Sequence, residues 1–234
     1  MRPNILCLET SAAKCSAALL QGDSKSIYKE AEVAFSHVAQ ITLLIKDLVA
    51  ESGLSFDDLD AVAISGGPGS YTGLRVGTST AKGICFANDI PLIALDTLKV
   101  IGHSLIGMEI QYQQALYVSI IDARRDEVYM AGYDKDLTQL LDTQAYILTE
   151  DSFKEESKNY EQVIIGGDAV TKAKALIGSK GIIYKEIIPD AGIMCQLALA
   201  AFKEQNFAYL SSYTPSYLKP PNITVSKKQF FRKN

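Results

Sequence analysis

Residues 63–87 read AISGGPGSYTGLRVGTSTAKGICFA: an apolar run, a turn of three glycines and a proline, and a longer periodic segment. With Ala61 and Val62 in front, the apolar run has the length of a buried strand ending at Ser65. Gly66-Gly67-Pro68-Gly69 is turn punctuation, and a helix is predicted from Thr72 to about Ala87. A strand–turn–helix of this kind can bring backbone N–H groups to a phosphate at the helix N-terminus. It is not a Walker A loop, because no Gly-Lys-Ser/Thr follows. Nor is it a dinucleotide fingerprint, because the third glycine falls at Gly73, one residue late. The glycines alone are a weak phosphate signal. Inside the helix, Gly73, Gly77 and Ala81 recur every four residues, with Gly83 and Ala87 beside them. A helical glycine costs up to roughly 1 kcal/mol relative to alanine. The stripe therefore needs a compensating close approach, either within its own lobe or against another chain.

Upstream, residues 4–9, 16–20 and 27–33 predict strands, with Lys14 and Gln21-Gly22-Asp23 in the turns. Residues 37–51 predict a helix, with Ser36 as N-cap and Gly53 ending it. Downstream, 92–95 is strand-like and a helical segment starts near Leu98. The second half repeats the order: strands at 117–121, 127–133 and 144–148, a helix at 150–157, and a strand at 163–165 running into Gly166-Gly167-Asp168. A helix at 169–177, an extended 182–184 and an Ala/Leu-rich helix at 193–204 follow. Both halves read β-β-β-α-β-α-β-α with a Gly-Gly turn after the fourth strand, and a repeat at this scale is a fold-level signal. The expectation is an α/β protein of two lobes, each a mixed sheet with helices on both faces. The lobes would be 1–108 and 109–234, with the 191–205 helix able to pack back between them.

Ligands tend to sit at the carboxyl ends of strands in such a cleft. The first strand of each lobe ends in an acid, Glu9 or Asp122, followed by Thr10-Ser11 or Ala123-Arg124-Arg125. A pair of acids facing across the cleft could hold a metal–nucleotide; solvated strand ends account for them equally well. The cleft candidates are Glu9, Thr10, Ser11, Gly66, Gly67, Gly69, Asp122, Arg124, Gly166 and Gly167. For Arg124 and Arg125, local ion pairs with Asp122, Asp126 or Glu127 are favoured over contact with an outside anion.

The helix at 37–51 carries more apolar surface than one sheet face needs. At about 100° per residue, Val38, Ile41, Ile45, Leu48 and Val49 form one arc. Leu44 extends the arc and Leu43 lies outside it, which suggests a second burial surface such as a partner helix.

Composition narrows the classes. The 234 residues are 47% hydrophobic and 21% charged with a net charge of −4, which excludes wholesale disorder. No apolar run approaches the roughly 18–20 residues of a membrane span, and residues 1–4 lead straight into a strand with no signal-peptide pattern. The expectation is a cytoplasmic protein that uses no membrane. From Lys219 onward there are five bases (Lys219, Lys227, Lys228, Arg232, Lys233) and no acid, with Phe230 and Phe231 between them. This tail fits RNA phosphates or an acidic partner, and equally a solvated terminus. The acidic body argues against autonomous nucleic-acid binding. Cys7, Cys15, Cys85 and Cys195 form no Cys-x-x-Cys pair and read as buried thiols. His37 and His103 are the only histidines, and no zinc-like cluster is visible.

Most of the chain resembles the TsaB (YeaZ) family, the non-peptidase branch of the former glycoproteases. The resemblance runs through LCLETSAAKCSAALL, SHVAQITLLI, SGGPGSYTGLRVGTSTAKG, IPLIALDTL, DARRDEVYMAGY, GGDA and the late PSYLK. It implies an actin-like ATPase fold of two RNase H-like lobes. It implies a non-catalytic subunit required for N6-threonylcarbamoyladenosine at position 37 of tRNAs reading codons that begin with A. The implied partners are TsaD, which performs the transfer, TsaE, an ATPase, and tRNA as part of the complex, with a homodimer when TsaD is absent. The implied TsaD-binding surface lies on two N-lobe helices: Val38, Ile41, Leu44, Ile45, Leu48, Gly73, Val76, Gly77, Thr80 and Ala81. No cofactor is expected on the isolated chain, with a nucleotide allowed for at the TsaD interface. TsaD-like chains carry His-x-x-x-His soon after the strand that follows the glycine loop. The equivalent stretch here, Asp96-Thr97-Leu98-Lys99-Val100-Ile101, has no histidine, so neither a catalytic nor a metal residue is assigned. Glu9 departs from the family's usual Asp. A small-molecule kinase or ATPase using Glu9, the glycine loop and Gly166-Gly167-Asp168 is the alternative.

Overall fold

A computed structural model of the chain describes residues 2–23, 25–32, 37–178 and 181–219, and of residues 37–39 the backbone alone. Three strands, β1 (Asn4–Glu9), β2 (Ser16–Gln21) and β3 (Lys25–Glu30), precede α1 (His37–Ser52). Then come β4 (Ala61–Ser65), α2 (Tyr71–Asn88), β5 (Leu92–Leu95) and α3 (Thr97–Met108). The second half runs β6 (Ala115–Asp122), β7 (Glu127–Tyr133), β8 (Gln139–Ile147), α4 (Glu156–Asn159), β9 (Gln162–Gly167), α5 (Val170–Ile177), β10 (Ile182–Glu186) and α6 (Ala191–Lys203). The sheets are ordered β3-β2-β1-β4-β5 and β10-β9-β6-β7-β8, the same topology twice. In each, the first three strands pair antiparallel and the last two parallel. This is the doubled β-β-β-α-β-α-β-α order expected from the sequence.

Strand alternation builds the layers. In β1, Leu6 and Leu8 enter the core under α1 and α2, while Ile5 and Cys7 enter the core under α6. In β6, Leu116, Val118 and Ile120 face one way and Ala115, Tyr117 and Ile121 the other. The helices between the sheets are exchanged. α3, from the first half, covers β6 and β7 of the second sheet with Leu98, Ile101 and Leu105. α6, from the second half, covers β1 and β2 of the first with Met194, Cys195, Ala198 and Leu199.

Caps fit the local sequence. Ser70, Asp96 and Asp190 accept from the backbone at the starts of α2, α3 and α6. Gly53, at φ +74°, ends α1. Ser36, the expected N-cap, and Val33, the expected end of the third strand, lie outside the described residues. The helix expected at 150–157 is corrected: only Glu156–Asn159 is α-helical. Phe153 takes φ +62°, buries its side chain and stacks on Tyr146 at 5.7 Å, so sheet burial overrides the helical pattern. All four cysteines are buried and free. Among the described residues, no helix is long and apolar enough to cross a membrane.

Candidate functional site

The glycine loop leaves β4 and enters α2 folded against the β1 turn. Ser70 N–H donates to Ser11 O at 2.8 Å, Gly66 N–H to Leu95 O at 2.6 Å and Thr97 N–H to Gly67 O at 2.9 Å. Gly67, at φ +102°, sits where a side chain is disfavoured. The spacing of glycines along α2 has an internal cause. A Cβ at Gly73 would lie 1.9 Å from Thr10 O, and one at Gly77 would lie 2.2 Å from Thr10 Oγ1. The stripe is a notch for Thr10 of the same chain. Gly83, further along, has nothing within 4 Å.

Glu9 ends β1 and is 0% exposed. Its Oε1 accepts from Ser11 N–H and Ser11 Oγ, both at 2.5 Å. Its Oε2 is buried and unpartnered among the described residues, and so is the Ser65 hydroxyl. Burial raises the carboxyl, and Asp190 adds to this. The Ser11 and Ser65 groups oppose it, and the result is about 7. Glu9 is therefore an enclosed acid with a raised pKa rather than a carboxylate open to a cleft.

Asp122, its counterpart, is exposed and differently engaged. Oδ1 takes the Lys172 ammonium at 2.5 Å and Arg124 N–H at 2.6 Å. Partial burial works against the charge, but these donors outweigh it and hold the carboxyl below its ordinary range. The ion pairs expected for Arg124 and Arg125 are corrected. Lysines take the carboxylates, Lys172 that of Asp122 and Lys219 that of Glu127, while neither arginine has an ion pair among the described residues. Both arginines are exposed, at φ +72° and +52°. Gly166 and Gly167 serve packing: a Cβ at Gly166 would press on Leu105 at 2.9 Å, and one at Gly167 would fall 1.8 Å from Ile120 O. The two strand-end acids are thus not presented as a matched pair. Among the described residues, no group of three or more His, Cys, Asp or Glu could hold a metal ion.

The expected partner face divides. Ile41, Ile45 and Leu48 are buried in the chain's own core under the first sheet, and so are Gly73, Gly77 and Ala81. They cannot supply exposed contacts, because the sheet and Thr10 already fill the space against them. Leu44, Val76 and Thr80 are half-buried. The Val38 side chain lies outside the described residues. Leu43, at 59% exposed, is a large apolar α1 residue that faces outward.

One feature carried no clear sequence signal. Residues 208–219 form a strap over the first lobe. Ala208 pairs with the edge strand at Leu92, and Leu210 and Tyr213 pack on the core. The Lys82 ammonium donates to Ser211 O and Tyr213 O, both at 3.3 Å. Ser216 N–H donates to Gly66 O at 2.8 Å, and Tyr217 lies 4.9 Å from Tyr71, over which Arg75 is placed at 4.4 Å. Lys219 closes the strap on Glu127 of the second lobe. A Cβ at Gly66 would meet Tyr213 OH at 2.6 Å, and one at Gly67 would meet Ser216 O at 2.5 Å. The glycine loop is therefore shaped to the strap. The only sequence pointer was the PSYLK run, Pro215 to Lys219. The bases and phenylalanines from Lys227 onward lie outside the described residues.

Comparison with known proteins adds a family. The family described as TsaD, tRNA N6-adenosine threonylcarbamoyltransferase, matches residues 30–226. The tRNA threonylcarbamoyladenosine biosynthesis protein TsaB of Escherichia coli is 27% identical over 92% of this chain and 94% of its own length. The Haemophilus influenzae protein of the same name is 36% identical over 54% of this chain, and the match spans about half (52%) of that relative. A crystal structure from Pseudomonas aeruginosa, described as an uncharacterized protein with similarity to peptidase YEAZ, superimposes with a TM-score of 0.78. It is 23% identical and covers 93% of this chain and 100% of its own.

Proposed function

The chain belongs to the TsaD family, and from that premise we propose that it is the non-catalytic subunit of tRNA threonylcarbamoyladenosine formation. In this reading it works in the cytoplasm and supports threonylcarbamoyl transfer to N6 of adenosine 37, bound to a TsaD-type transferase and joined by TsaE and tRNA. It pairs with itself when TsaD is absent. The observation that carries the reading is the stretch from Asp96 to Ile101 at the start of α3, which has no imidazole pair inside a chain otherwise matched to the family from 30 to 226. His103 alone, half-buried and held below its ordinary pKa by that burial, does not replace two ligands one turn apart. A nucleotide-free isolated chain is supported by the strap over the glycine loop and by the enclosure of Glu9.

The outward-facing edge of α1 and α2, with Leu43, Leu44, Val76 and Thr80, is the surface assigned to TsaD. Leu43→Asp tests it without touching the core, because Leu43 is 59% exposed. The variant should keep the wild-type melting temperature and lose TsaD in co-purification. In cells depleted of the native protein, mass spectrometry of tRNA nucleosides should show it failing to restore the modified adenosine. Retention of TsaD at wild-type yield would remove this face from the interface. Full restoration of the modified nucleoside with no TsaD bound would remove the scaffold reading itself.

A further inference from the structure

The strap is built in two unequal halves. Residues 208–213 are fixed by a backbone bridge to β5, by half-buried Ala208, Leu210 and Tyr213 packed against the core, and by Lys82 on two carbonyls. From Thr214 to Lys219 the hold is lighter: one backbone hydrogen bond (Ser216 to Gly66), one tilted ring contact (Tyr217 to Tyr71) and one partly exposed ion pair (Lys219 to Glu127). Thr214, Ser216 and Tyr217 are exposed, Leu218 and Lys219 are half-buried, and Pro215 is the one buried residue of the stretch. A segment with few buried apolar contacts and exposed hydrogen bonds opens at lower free energy than the core it lies on. Yet this lighter half covers Gly66 and Gly67, and it crosses from one lobe to the other.

We propose that residues 214–219 are a releasable latch: closed, they cover the Gly66 carbonyl and Gly67 and tie the first lobe to the start of β7; open, they expose that part of the loop while 208–213, with Tyr213 against Gly66, stay anchored. The far anchor is well chosen for this role. Glu127 follows Arg124 and Arg125, which both hold left-handed backbone that non-glycine residues avoid unless their surroundings impose it. Lys172 braces that turn from within its own lobe, donating to Glu127 O at 3.0 Å and to Asp122. Lys219 braces it from the strap. Anything that reaches the Gly66 carbonyl or Gly67 from solvent must first lift the latch. The device does not depend on which partner or ligand does so.

Hydrogen exchange by mass spectrometry on the full chain tests it. Lys219→Glu replaces attraction to Glu127 with repulsion, and Tyr217→Ala removes the ring contact independently. Each should raise exchange in peptides spanning 64–70 and 214–219 by about tenfold, leaving β1 and β6 at wild-type rates. Lys219→Arg keeps the charge and should exchange like wild type. Wild-type exchange over 64–70 in both Lys219→Glu and Tyr217→Ala would overturn the latch. So would Lys219→Arg exchanging as fast as Lys219→Glu, because the ion pair would then not be what holds it shut.

Discussion

Glu9 shows how one buried acid can shape the pH response of the whole chain. It stands at the end of β1 with no exposed surface, and burial pushes its carboxyl up to about 7 from an ordinary 4.5. A folded chain that binds a proton more tightly than the unfolded chain is favoured where that proton is present. Glu9 therefore supports the fold fully below its unfolded pKa, and this support fades as pH rises through about 7. The size is roughly 3 kcal/mol by the usual conversion of pKa shift to free energy. Denaturant unfolding of wild type and Glu9→Gln at pH 5 and pH 8 should show the variant gaining on wild type as pH rises. Asp168 and Asp96 also carry carboxyls raised by burial, so the difference between the two chains is the quantity to read. A difference that stays flat over this range would mean Glu9 does not titrate there. The sequence showed an acid at this strand end but not its enclosure, because enclosure depends on Ser11 folding back two residues later.

At the scale of elements, α2 separates what spacing can reveal from what it cannot. The four-residue recurrence of Gly73, Gly77 and Ala81 correctly announced a close approach; it could not say that the approaching atom was Thr10 of the same chain. The test is graded along one helix. Gly73→Ala drives a Cβ onto a backbone oxygen that cannot rotate away, so it should destabilise by about 3 kcal/mol or more. Gly77→Ala meets mainly a hydroxyl and should cost less. Gly83→Ala enters open space and should stabilise by up to about 1 kcal/mol through helix propensity. Urea midpoints would rank the three, and a Gly73→Ala chain as stable as wild type would refute the notch. The period of α1 was equally legible: Ile41, Ile45, Leu48 and Val49 were separable from Leu43 by angle alone. The strap was not. Residues 208–219 carry no period, and their structure comes from contacts with residues 92 or more positions away.

At the scale of the whole molecule, the repeat was readable because each half writes the same order of periods and turns, and the two sheets share one topology. The exchange of α3 and α6 was not, because a helix with apolar residues on more than one side does not say which sheet it will cover. The exchange has a mechanical consequence. Each sheet is completed by a helix from the other half, so neither half buries both of its faces alone. Met194 is a sharp probe, since it lies in α6 of the second half and is wholly buried against the first sheet. Met194→Ala should cost about 2–5 kcal/mol, the range for deleting a large aliphatic side chain in a core. The loss should appear equally in β1 and β6, because unzipping α6 exposes the first sheet and releases the neighbouring α3 from the second. Native-state hydrogen exchange on both strands would read this directly. If only β1 loses protection, the lobes unfold as separate units, and the exchanged helices join them in space without making them one cooperative structure.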